Sequence, residues 1–293
     1  MYVIEFLRAN PYVFLSFVTF VGLAVGSFLN VVVYRLPQMM EREWRHQCKE
    51  LLAGDHVAEH AEPLLTLVRP RSRCPSCGHK IRANENIPVL SYLMLHGRCS
   101  SCGWRIPLRY PAVELLTGLL SLAVAWRYGL SVETIGGLLM TWGLVSLSFI
   151  DLDTQLLPDS ISLPMLWTGL AFNLFDVHAL LWDAVLGAIC GYGILWIVYQ
   201  AFRLLTGKEG MGFGDFKLLA ALGAWLGWQH LPLIILLSSV LGALVGITLM
   251  LAKGHERDVP IPFGPYLAAA GWIALVWGNE IISAYLDFST VPV

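Results

Sequence analysis

Gly212-Phe213-Gly214-Asp215 opens an apolar, helix-like run from Phe216 to Trp228 and lies between two longer apolar stretches. A second acidic cluster, Asp151-Leu152-Asp153, closes another apolar run, Leu144 to Ile150. A carboxylate next to hydrocarbon is costly, so in such places it is solvated, paired or functional. Taken alone, Asp215 also suits a helix N-cap, because it follows Gly and precedes a helical pattern. Elsewhere in the chain, apolar runs of about 17 to 25 residues recur, the length an α-helix needs to cross a hydrocarbon core of about 30 Å. Ten-residue alternating strands are absent, which excludes a barrel.

Composition agrees. Of 293 residues, 56% are hydrophobic and 14% charged, and the mean hydropathy is +0.64. An ordinary soluble domain of this size is excluded, and the chain reads as an integral membrane protein in contact with lipid. The formal net charge of −2 gives no sign of a nucleic-acid partner.

The first apolar segment, Pro11 to Leu36, is too long for a signal-peptide core and has no small-x-small cleavage site, so it reads as a retained helix. Gly22 and Gly26 within it suit close helix packing. Further spans are expected at 110–127, 131–150, 160–176, 182–203, 215–229, 231–252 and 262–283. The expected fold is therefore an all-α polytopic membrane protein with about eight transmembrane helices. Its parts are a first helix (1–36), a small cytoplasmic domain (37–109) and a seven-helix membrane domain (110–293).

Residues 37–109 carry 11 of the 19 Lys and Arg residues, which puts this segment in the cytoplasm by the positive-inside rule. Arg203, Lys208, Lys217, Lys253 and Arg257 fall on the same side in this count, with Arg8 and Arg127 opposite. Both termini are then outside, and Asp151, Asp153, Asp159 and Asp215 lie at the cytoplasmic membrane face. The charged segment Gln38 to Glu62 reads as an amphipathic or loosely ordered arm.

Cys74-Pro75-Ser76-Cys77 and Cys99-Ser100-Ser101-Cys102 form two CxxC pairs with 21 residues between them, each followed by Gly. Four thiolates so spaced complete a closed tetrahedral zinc shell, and a closed shell is structural rather than catalytic. Two disulfides are disfavoured by the cytoplasmic placement, and a redox dithiol by the lack of a βαβ context. His79 and His96 lie close by as surface or outer residues. The stretch Gly207 to Gly212 fits neither a Walker pattern nor GxGxxG.

Two facing carboxylates cannot both ionise cheaply, so one keeps its proton while the other acts as a base. That arrangement activates water against a peptide carbonyl without a metal. Asp151 with Asp215 is the expected pair. Asp159, after Pro158, suits a helix cap.

These residues resemble a known family. Asp151-Leu152-Asp153 with Leu157-Pro158-Asp159, and Gly212-Phe213-Gly214-Asp215-Phe216-Lys217-Leu218, are similar to the two aspartate motifs of the type IV prepilin peptidases, GxGD-type membrane aspartyl proteases. Gly26 to Pro37 resembles that family's first-helix signature. The CxxC pairs with Arg109-Tyr110-Pro111-Ala112-Val113-Glu114 resemble its cytoplasmic domain, and Pro262-Phe263-Gly264-Pro265 its last helix. The resemblance implies a bifunctional enzyme of the bacterial inner membrane. It would cleave the short basic leader of prepilins and pseudopilins after a Gly at the cytoplasmic face, with Asp151 and Asp215 catalytic. It would then N-methylate the new N-terminal residue, usually Phe, with S-adenosylmethionine. No residues are assigned to the methyl donor, and that activity rests on resemblance alone.

Two other classes make different demands. A proton-coupled transporter would place acids near the bilayer midplane on broken helices in matching repeats, whereas here they sit near segment ends. A zinc-domain scaffold would leave Asp215 as a cap, and Asn would replace it harmlessly.

Overall fold

The computed structural model describes residues 2–53, 65–253 and 262–290. Among these residues every regular element is helical, apart from isolated bridges pairing Arg73 with Lys80 and Arg98 with Arg105. The α-helices are α1 (Tyr2–Ala9), α2 (Pro11–Ala53), α3 (Leu90–Met94), α4 (Arg109–Tyr128), α5 (Val132–Thr154), α6 (Asp159–Asn173), α7 (Leu181–Thr206), α8 (Phe213–Leu226), α9 (Leu231–Lys253) and α10 (Gly264–Thr290). Five of them, α2, α5, α7, α9 and α10, are long and apolar enough to cross a membrane, which makes this a multi-pass membrane protein.

The first helix does not stop at Leu36. It runs on through Pro37 to Ala53. Residues 38–53 are rich in Met, Glu, Arg, Lys, Leu and Ala, strong helix formers, and Arg45 and Gln47 reach back to Glu41 and Glu43 at 2.5 and 2.9 Å. The first part of the expected arm is therefore regular helix. The rest of it, from residue 54, and Arg257 lie outside the described residues.

The chain divides within α4 into two compact units, Met1–Leu122 and Ala123–Val293. In the first, two glycines of α2 let it approach α4 closely. A Cβ on Gly22 would lie 2.6 Å from Ser121 Oγ, and one on Gly26 would lie 2.8 Å from the Glu114 Cα. Asn30 Nδ2 donates to the Tyr110 carbonyl at 3.1 Å. The buried Arg35 guanidinium donates to the carbonyls of Thr66, Leu67 and Pro70 at 2.9, 3.3 and 2.7 Å, pinning that strand of chain to α2.

The second unit is built around α8. From Asp215 to Leu226 nearly every residue is buried, which is the signature of a helix apolar all round and enclosed by protein. Fourteen residues rise only about 21 Å, too little for a hydrocarbon core of about 30 Å. Enclosure removes that requirement, since α8 packs mainly on α7, α6 and α10 rather than on lipid. Its far end is fastened by Trp225, whose Nε1 donates to the Met165 carbonyl at 2.9 Å, and by Asn173, which donates to the carbonyls of Ala224 and Trp225 at 2.9 and 3.0 Å. The two Asn173 bonds satisfy carbonyls that a helix C-terminus otherwise leaves without partners. On the α7 side, a Cβ on Gly187 would lie 2.3 Å from the Gly223 carbonyl oxygen, and one on Gly223 would lie 2.2 Å from that of Gly187.

Candidate functional site

Asp151 lies in the last turn of α5, which ends when Gln155 turns left-handed (φ 55°) and donates its N–H to the Asp151 carbonyl at 2.9 Å. Asp215 lies in the first turn of α8. Both carboxylic residues are buried, 5% and 8% exposed. Capping does not explain Asp215: Gly212 holds the N-cap position, and no side-chain capping bond forms there.

The Asp151 Oδ2 accepts the backbone N–H of Gly264 at 2.9 Å. Gly264 is the first residue of α10, where N–H groups have no partner within the helix and the dipole favours negative charge. Leu157 stands between the two acid-bearing segments. A Cβ on Gly214 would lie 2.7 Å from the Leu157 Cβ, and one on Gly264 would lie 3.1 Å from its Cδ2. One apolar side chain thus touches the residue before Asp215 and the residue that holds Asp151. The two carboxyl groups are within electrostatic reach of each other. An aromatic cluster of Tyr199, Phe213 and Phe216, with ring centroids 5.3 to 5.7 Å apart, packs against the same turn of α8.

The other acids are placed differently. Asp153 is exposed. Asp159 does not cap α6, where Pro158 takes the N-cap position; both of its oxygens accept from Lys217 Nζ at 2.7 Å. This pair ties α6 to α8 two residues beyond Asp215.

In the first unit, the sulfurs of Cys74, Cys77, Cys99 and Cys102 lie within 4.8 Å of one another. Cys74 and Cys102 are 3.8 Å apart, and a tetrahedral site with Zn–S bonds of about 2.3 Å has S···S edges of about 3.8 Å. The donor set fits zinc. Two knuckles of the same build present the sulfurs. The N–H of Cys74 donates to the His79 carbonyl at 2.9 Å, and that of Cys99 to the Trp104 carbonyl at 2.8 Å. Gly78 and Gly103 follow with φ of +71°, which glycine adopts without strain. All six cysteines are free thiols.

Glu85, which sequence reasoning passed over, joins the two knuckles. Its carboxylate accepts from the Arg82 N–H at 2.9 Å and from Ser100 Oγ at 2.7 Å, and lies 3.2 Å from His79 Nε2. Those bonds, the Arg82 N–H foremost, hold its carboxyl down to about 2. His79 is thereby placed against Glu85 outside the thiolate set.

Two family models and several relatives match the chain. The Bacterial Peptidase A24 N-terminal domain matches residues 20–128, and the Type IV leader peptidase family matches residues 138–247. The chain is 58% identical over 282 residues to a prepilin leader peptidase/N-methyltransferase of Pseudomonas putida, covering 96% of this chain and 97% of that protein. It is 55% identical over 286 residues to the protein of that name from Stutzerimonas stutzeri, covering 98% of each. With its counterpart in Neisseria gonorrhoeae it shares 50% over 272 residues, 93% of each. No solved structure matches the chain. At that identity, over nearly the whole of both chains, this chain belongs to the type IV leader peptidase family.

Proposed function

We propose that the protein is a prepilin leader peptidase and N-methyltransferase in which Asp151 and Asp215 are the catalytic pair of the peptidase. The observation that carries this reading is two buried carboxyl groups at helix ends, gathered around Leu157, one of them held by the Gly264 N–H. The N–H bond and the α10 N-terminus favour a charged Asp151, so Asp151 is the base and Asp215 keeps the shared proton. Asp151 takes a proton from water as the water oxygen attacks the scissile carbonyl, and Asp215 gives its proton to the carbonyl oxygen. As the tetrahedral adduct collapses, one of its hydroxyls returns a proton to Asp215, the C–N bond breaks, and the proton on Asp151 passes to the leaving amine. The substrates are prepilins or pseudopilins.

The four cysteines hold a structural zinc ion that fixes the two knuckles. S-adenosylmethionine, when bound, would supply the methyl group taken up by the new N-terminal amine.

In this reading the membrane region is built of eight helices, α2 and α4 to α10, with the short α8 enclosed among the others and with the basic segment 37–109 and the aspartates cytoplasmic. Charge asymmetry supports it. A reporter fused between Arg69 and Arg105 should read cytoplasmic, and a periplasmic signal would refute the orientation.

The deciding experiment is leader cleavage of a prepilin by Asp151→Asn and Asp215→Asn proteins. Each should lose at least about 10²-fold in cleavage while still methylating a peptide that already carries a free N-terminal Phe. Wild-type cleavage by both variants eliminates the pair. Loss through only one points to Asp153 or Asp159 as its partner.

A further inference from the structure

Beside the cysteine knuckles, the first unit encloses a cavity of about 420 Å³. That size falls in the range of about 300 to 1,000 Å³ usual for small-molecule sites. Its walls come from α2 (Asn30, Tyr34), from α4 (Glu114) and from the knuckle segment (Arg73, Tyr92, Trp104).

The charged groups around it are not equivalent. Arg35 is committed to three main-chain carbonyls, and Glu85 to the joint between the knuckles. Glu114 is half-buried and accepts one bond, from the Val89 N–H at 2.7 Å through Oε2. A carboxylate has about four acceptor sites, so most of its capacity remains. The bond also restrains Val89, which sits at φ +58°. That is a rare conformation for a β-branched residue, of a kind that gathers at ligand sites. Arg73, an exposed residue of the lining, forms no side-chain bond among the described residues.

A ligand suited to this cavity carries a positive centre for Glu114, a carboxylate for Arg73 and a flat heterocycle for the three aromatic rings. Aromatic faces stack on nucleobases and attract cations. S-adenosylmethionine has all three: an amino-acid end of both charges, a sulfonium and a purine. We propose that this cavity is the methyl-donor site, with Glu114 facing the ligand's positive groups, Arg73 its carboxylate, and Tyr34, Tyr92 and Trp104 its adenine. The proposal rests on the N-methyltransferase half of the reading above and deepens it by giving that activity a site.

The test is equilibrium binding of radiolabelled S-adenosylmethionine to the full, zinc-loaded chain in nanodiscs, with leader cleavage and zinc content measured on the same samples. Glu114→Gln keeps an acceptor for the Val89 N–H but removes the charge, so Kd should rise at least about tenfold, the scale of one lost charged hydrogen bond. Arg73→Gln, at an exposed position, should raise Kd several-fold. Cleavage and zinc content should stay at wild-type levels in both. Wild-type affinity in both variants overturns the cavity assignment and leaves the methyltransferase reading standing. An unchanged donor Kd with a raised KM for a Phe-headed peptide assigns the cavity to the methyl acceptor instead, and the proposal falls. No binding to the wild-type chain at all refutes the methyltransferase half itself, while the peptidase half is judged separately by cleavage.

Discussion

Gly264 holds Asp151 by a single backbone N–H at 2.9 Å, and the two residues are 113 positions apart. A methyl group at position 264 would stand 2.6 Å from Asp151 Oδ2, closer than a carbon and a carboxylate oxygen can approach. Gly264→Ala should therefore push the carboxylate off its donor while leaving α10 a good helix former. Prepilin cleavage should fall about 10²-fold, the scale of losing an aligned charge-stabilising donor, with the helix content seen by circular dichroism unchanged. Wild-type cleavage would show that the bond has no part in the chemistry.

The Asp159–Lys217 pair serves as a fastening between α6 and α8 rather than as part of the proton chemistry. Its side chains are 54% and 30% exposed, and pairs of that kind contribute about 0 to 1 kcal/mol. Asp159→Asn and Lys217→Met should each lower the thermal midpoint slightly and change cleavage only a few-fold. A loss as large as that of Asp151→Asn would bring Asp159 into the mechanism.

Metal analysis of the purified chain should find about one zinc per molecule. Replacing Cys99 and Cys102 together by Ser should abolish it, and yield or domain stability should drop before peptidase chemistry changes. Full zinc content in that double variant would place the ion elsewhere. Glu85→Gln should weaken the same domain without removing the metal, because it cuts the joint between knuckles and leaves the thiolates in place.

His178, in the turn between α6 and α7, is buried with its Nε2 lacking a partner among the described residues. It is wedged between the Tyr128 and Trp225 rings. Burial pushes its basicity down to about 4 against the opposing pull of Glu133. The unfolded chain, with an ordinary His near 6.5, binds the extra proton across the interval between those values, so stability should fall as pH drops from about 6.5 towards 4. Thermal unfolding in detergent should show that slope in the wild type, and a smaller one in His178→Gln. Identical slopes would assign the acid sensitivity to other groups.

Some features were legible because the signal is local. The CxxC spacing and its following glycines specify each knuckle within six residues, and apolar runs locate the starts of α5, α7, α9 and α10 to within two residues, although α5, α7 and α10 run three to seven residues past their expected ends. Pro37 misled because a proline reads as a stop, while the helix formers after it carry α2 onward. The support of the aspartates was illegible for a different reason. Nothing in Pro262-Phe263-Gly264-Pro265 states that its N–H meets Asp151, nor in Leu157 that it fills the space between Gly214 and Gly264. Those contacts exist only once α5, α8 and α10 have packed together. Asp215 was ambiguous as a cap until Gly212 was seen to occupy that position.

Where α7 crosses α8, Gly187 and Gly223 face each other main chain to main chain, each lacking room for one carbon beside the other's carbonyl oxygen. A crowded side chain can be trimmed by a second mutation, but a carbonyl oxygen cannot. Substituting either glycine therefore finds no compensating change nearby, and substituting both only doubles the collision. Neutral drift can remodel the lipid-facing side of α7 freely, yet it has no stepwise route through this crossing. Descent with modification must go around it.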